Sequence, residues 1–155
     1  MALEDDIAFL EQVPTLALLG KPALRILAIG AESRNVPNGA VLFYAGDLAD
    51  GGYVVQQGSF LLEPDTRGKA QETTVGPGAL LDELALVTDT VRTSTATALE
   101  PSVVVRIPRS LFLKMLEGYP AAAKNMRDVM AARVDQWGRE LDGLRAKFEP
   151  GGTRS

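Results

Sequence analysis

The chain has no cysteine and no histidine. Without cysteine there is no disulfide framework, no thiolate nucleophile, no iron–sulfur cluster and no zinc knuckle. Without histidine there is no Ser-His triad, no haem held through a proximal imidazole and no histidine-based metal centre. Long apolar runs are missing as well: none reaches the ~18 residues that a membrane span needs. The N-terminus, MALEDDIAFLEQV, is acidic and amphipathic rather than basic and then apolar, so it does not read as a signal peptide. A cytoplasmic location without membrane contact is the expectation. The net charge of −4 disfavours a surface that binds nucleic acid as a whole.

What is present suits one globular domain. At 155 residues, with 46% hydrophobic and 23% charged side chains, the chain is long enough to bury a real core. Residues 4–31 read as two or three short helices. Ile7, Phe9, Leu10 and Val13 form an apolar set ended by Pro14, and Pro22 opens a second set with Leu24, Leu27 and Ala28 on one face. Residues 32–107 read as short strands punctuated by Gly, Pro, Asn and Asp. AVLFYA, YVVQQ, SFLLEP, AQETTV, TSTATAL and SVVVRI are the strand candidates, with DTRGKA as a hairpin turn. Gly39, Gly46, Gly51, Gly52 and Gly58 are read as backbone devices for turns and bends, and one of Phe43 and Tyr44 as core.

Residues 108–148 return to helix. Pro108 starts a short one whose core side is assigned to Leu111, Leu113, Met115 and Leu116, with Arg109 and Lys114 on its exposed face. Pro120 opens a long one. Met130, Val134, Trp137, Leu141, Leu144 and Phe148 fall at 4-3-4-3-4 spacing, a seam that suits a parallel coiled coil between two copies of the chain. Residues 149–155, EPGGTRS, are expected to be a disordered tail. The fold class is therefore α+β: a β jelly-roll or double-stranded β-helix barrel, flanked by N-terminal helices and a long C-terminal helix, over residues 1–148.

Between two strands lies GALLDELALVTDTVRTSTATA, residues 78–98, with Glu83 and Arg92 at the ends of an apolar turn and a polar loop. The two side chains either pair with each other or hold a ligand that offers hydroxyls to one and a phosphate to the other. The order of elements resembles the cyclic-nucleotide-binding domain of the catabolite-activator family. DELALVTDTVRTSTATA is similar to that family's phosphate-binding cassette, and Gly39, Gly46, Asp47, Tyr53 and Gly58 sit where the family expects such residues.

The resemblance implies a site for cAMP or cGMP and no catalysis. Arg92 would take the cyclic phosphate and Glu83 the ribose 2′-hydroxyl. Thr93 would add a hydroxyl, and the amides of Leu84, Ala85 and Ser94 would complete the cradle. Two positions depart from the pattern. Asp82 stands where the family has glycine, and a carboxylate about 4 Å from a bound phosphate costs several kcal/mol at an effective dielectric of 20. Asp82 either caps the turn or reaches Arg92 as an internal anion. Trp137 falls where the family often offers hydroxyls to the base; it stacks on the base or belongs to the helix seam. Only a few residues follow Phe148, so no DNA-binding module is expected. The expected function is a free-standing, dimeric cyclic-nucleotide sensor that pairs through residues 126–148 and acts on an unidentified downstream protein. The alternative is a dimeric adaptor whose ligand site has degenerated.

Overall fold

In the computed structural model, residues 3–64, 72–129 and 131–132 are described. The seam residues Met130, Val134, Trp137, Leu141, Leu144 and Phe148, the tail 149–155 and the whole DTRGKA turn lie outside them.

The N-terminal zone folds into α1 (Leu3–Glu11), α2 (Pro14–Ala17) and α3 (Lys21–Gly30). Proline occupies the first turn of both α2 and α3, where its missing N–H costs nothing. The strands are β1 (Glu32–Val36), β2 (Val41–Phe43), β3 (Leu48–Ala49), β4 (Gly51–Gln57), β5 (Phe60–Pro64), β6 (Thr73–Val75), β7 (Leu80–Leu81), β8 (Thr90–Val91), β9 (Ser94–Ala98) and β10 (Ser102–Pro108). A 3-10 turn, Glu83–Leu86, separates β7 from β8, and α4 (Arg109–Gly118) follows β10. Residues 120–129 are helical and form α5.

All described pairings are antiparallel. One sheet runs β1-β10-β4-β7, the facing one β2-β9-β5-β6, and β3-β8 makes a small two-stranded arm. This is the helix-flanked jelly roll that the alternating strands predict, and the sheet-to-sheet arrangement keeps edges short.

The period of two along β4 sorts its side chains between two cores. Tyr53 and Val55 point between the sheets, where they meet Phe43, Phe60, Leu81, Ala96 and Val104. Val54 points the other way, into a cluster with Leu24, Leu27, Ile107, Phe112 and Met115 beneath the helices. The register agrees: Val54 is opposite Val105 and Val55 opposite Val104. Strand β4 is thus buried on both faces, which explains its continuous apolar composition.

One side-chain assignment, in α4, differs from the sequence expectation, and one left open there is decided in β2. In α4 the fully buried residues are Phe112 and Met115, three apart on one face; Leu111 and Leu116 are half-buried and Leu113 is exposed. The helix begins one residue after Pro108, so its inward face falls on Phe112 rather than Leu113. In β2 the inward residue is Phe43, and Tyr44 is exposed just beyond the strand. The long helix begins on its own chain, with Ala122 and Met126 buried in the helix-side cluster.

Gly58 joins β4 to β5 with φ of 89°, in the left-handed region, and a Cβ there would sit 2.1 Å from Ser102 Oγ and 2.8 Å from Ser102 Cα. That close approach lets Ser59 N–H donate to Ser102 Oγ at 3.2 Å. Gly58→Ala combines left-handed strain with a clash against backbone, and a loss of about 2 kcal/mol is expected in urea unfolding.

Candidate functional site: a buried arginine and its internal anion

Arg92 lies between β8 and β9. Its backbone is pinned to the loop before β3: Arg92 N–H donates to Asp47 O and Gly46 N–H to Arg92 O, both at 2.8 Å. The side chain then runs inward and is 96% buried by the complement of its 4% exposure. The guanidinium carbon stands 4.5 Å from the Phe43 ring centroid and 5.3 Å from that of Tyr53. These two rings stack 5.8 Å apart. Desolvated contacts of this kind are worth up to about 2 kcal/mol each, yet they do not replace a counter-charge.

The counter-charge is Asp82. Arg92 Nη1 donates to Asp82 Oδ2 at 2.8 Å and to Gly51 O at 3.0 Å. Arg92 Nε is buried without a hydrogen-bond partner. Of the two fates open to Asp82, the structure takes the pairing. Asp82 occupies the cap position of the 3-10 turn but makes no side-chain cap bond. Its backbone explains why glycine suits this position: φ is 60° and ψ 56°, and Asp82 is the only non-glycine with positive φ among the described residues. Aspartate and asparagine tolerate that region better than other non-glycine residues.

Glu83 faces elsewhere. Its carboxylate accepts from the hydroxyl of Thr15 in α2, a residue buried under the N-terminal helices. Glu83 lines a hollow of about 320 Å³ with Val13, Pro14, Thr15 and Gly78. Asp82, Thr93 and Ser94 line another, of about 170 Å³, with Phe43, Leu62, Val75 and Leu81. Ala79 and Leu80 belong to both linings, so the two hollows adjoin the same stretch of chain. Leu84 is exposed, whereas Ala85 is fully buried and its amide already donates to Asp82 O at 3.0 Å. In this conformation the 3-10 turn takes up the Ala85 amide.

A further hollow, about 260 Å³, lies between α1, α3 and β10 and is lined by Asp6, Phe9, Ser33 and Gln56, away from Arg92. Among the described residues no group of three or more acidic, histidine or cysteine side chains could hold a metal ion. No described helix is long and apolar enough to cross a membrane.

Arg109 also departs from expectation. Instead of lining an exposed helix face, its guanidinium reaches Ala49 O (3.0 Å), Thr88 O (3.1 Å), Ala85 O (3.3 Å) and Asp89 Oδ1 (2.5 Å). Sequence held one signal for this. A cation in the first turn of a helix opposes the macrodipole unless it has acceptors nearby. Thr15 carried no such signal, because its partner is 68 residues away.

A helix-flanked antiparallel roll with a buried arginine beside a 3-10 turn defines the architecture of a ligand-site cassette. The sequence profile described as Cyclic nucleotide-binding domain matches residues 33–119. The chain belongs to the cyclic nucleotide-binding domain family. It is 30% identical to the Cyclic AMP receptor protein of Thermus thermophilus over 73% of this chain and 53% of that protein. It is 33% identical to an NTE-family protein of Mycobacterium bovis over 82% of this chain and 21% of that protein. The chain therefore spans about half of the first relative and about a fifth of the second. Among solved structures, the Cyclic nucleotide-binding-like protein of Brucella abortus superimposes with a TM-score of 0.64 at 37% identity, covering 73% of this chain and 98% of that one.

Proposed function

We propose that this domain is a regulatory sensor for cAMP or cGMP in which Asp82 holds Arg92 until a cyclic phosphate takes its place. One observation carries the reading: a guanidinium buried beside the stacked rings of Phe43 and Tyr53 is neutralised by a carboxylate at the edge of a hollow. Exchanging one monoanion for another leaves the buried charge balanced, so the cost of desolvating Arg92 is already met in the ligand-free protein. The diester also offers a second acceptor oxygen, and Arg92 Nε is an unfilled donor.

The hollow is smaller than the ~300 Å³ at which ligand pockets usually begin, so Asp82 must move for a nucleotide to enter. The ribose hydroxyl would replace Thr15 as the partner of Glu83, with Thr93 and Ser94 on the phosphate side. Trp137 would stack on the base or serve the helix seam. Signalling would run through a homodimer formed by residues 126–148 to a downstream protein, in the cytoplasm, without DNA contact and without catalysis. A ligand signals only by favouring one helix arrangement over another.

The second reading is a dimeric adaptor that binds no nucleotide. It is favoured by the same satisfied contacts: Asp82 on Arg92 and Thr15 on Glu83. A melting series on ligand-stripped protein separates the two. Nucleotide at 100 times its dissociation constant adds about 2.7 kcal/mol, a rise of about 5–10 °C for a chain of this size. The sensor reading expects that rise with cAMP or cGMP and a smaller one with the 2′-deoxy analogue. No rise with either at millimolar concentration leaves the adaptor.

A further inference from the structure

The contacts of Arg109 go beyond what holding α4 in place requires. Its backbone N–H already ties the helix start to Asp50 O at 2.7 Å. The side chain then collects acceptors from three other segments. Nη1 shares its two protons among Ala49 O, Ala85 O and Thr88 O, while Nη2 donates to the carboxylate of Asp89, which is otherwise exposed. Ala85 and Thr88 are at and just past the end of the 3-10 turn, where a short helix leaves carbonyls without intrahelical partners. Ala49 is in β3 and pairs with Thr90 of β8. One side chain therefore holds the turn, the loop after it and the arm that delivers Arg92. The segment it grips, residues 85–90, is the stretch that links Asp82 to Arg92.

We propose that Arg109 is the positioning residue of this cassette, fixing the loop between the 3-10 turn and β8 to the first turn of α4 so that Asp82 and Arg92 meet. Its planar fork spans acceptors on three segments, which the compact ammonium of lysine does not. Because Phe112 and Met115 of α4 share a core with Leu86 of the turn and Met126 of α5, a shift of the cassette reaches the C-terminal helices through the same residue. The affinity part of this proposal rests on the reading of the cassette as a nucleotide site; the clamp itself does not.

The test uses Arg109→Gln and Arg109→Lys in the full chain, with two readouts. The first is amide hydrogen exchange of the ligand-free protein, which reports local opening. Exchange at residues 85–91 is expected to accelerate by about tenfold or more in Arg109→Gln, with Val54, Val55 and Leu62 unchanged, and lysine to restore less than half of the protection on a logarithmic scale. The second is calorimetry with cAMP, in which Kd is expected to weaken by about fivefold or more in the Gln variant. Unchanged exchange at 85–91, acceleration spread evenly over the core strands, or full rescue by lysine overturns the clamp. If wild-type protein binds neither cAMP nor cGMP, the sensor reading fails and the exchange arm alone decides the clamp. If Arg109→Gln does not fold, Asp89→Ala, which removes a single contact on an exposed loop, is expected to accelerate the same amides to a lesser degree; no acceleration there overturns it.

Discussion

Protein carrying Arg92→Ala is expected to lose cyclic-nucleotide binding by about a hundredfold or more, because the one buried cation among the described residues is gone. The same substitution is expected to lower the unfolding free energy by about 3 kcal/mol, the lower end of the range for breaking a buried ion pair. The lower end applies because Asp82 keeps 18% of its side chain in contact with solvent and rehydrates when its partner leaves. The two rings that stack against the guanidinium also lose a neighbour on their shared face. Arg92→Lys is expected to recover part of the stability and little of the binding, since an ammonium is a point charge and a diester is gripped by a fork. Urea unfolding and calorimetric titration of the same samples check both statements. A variant that binds as wild type does would remove Arg92 from the site.

The second large effect concerns the core rather than the cassette. Phe112→Ala is expected to destabilise the protein by about 3–5 kcal/mol. Its ring is fully buried among Leu24, Leu27, Ile107 and Met115, between two helices and a sheet that cannot collapse onto the vacated volume. Leu113→Ala on the outer face of the same helix is the control. Leu113 is 39% exposed, and a loss of no more than about 1 kcal/mol is expected. Equal losses for the two would mean that the helix presents the face with Leu113 inward.

That pair also marks where sequence reasoning reached and where it stopped. The strands were legible because turn residues punctuate them and because Tyr53, Val54 and Val55 must alternate between two apolar faces. The helix start at Pro22 was legible because proline restricts the position it can occupy, whereas Pro14, read only as the end of the first helix, also opens α2. The phase of α4 was not, because four leucine or methionine residues and one phenylalanine fit either face, and only the entry angle after Pro108 selects between them. Asp82 could be singled out, since an acidic residue stands beside an expected anion site. Its choice between capping and pairing depended on φ of 60°, which turns the side chain away from the turn's amides. Glu83 was singled out with Arg92 at the two ends of the turn and loop, but its partner could not be read, because α2 supplies the hydroxyl from far along the chain. Contacts of that length leave no local pattern.

The central claim is an exchange of anions on Arg92, and the cAMP dissociation constant of Asp82→Asn against wild type tests it most directly. Asparagine keeps the tolerance for the left-handed backbone and nearly the same size, and removes only the competing charge. The exchange predicts that Asp82→Asn tightens cAMP binding by about tenfold or more, equivalent to ~1.4 kcal/mol of released competition. Equal or weaker binding in the variant would contradict it.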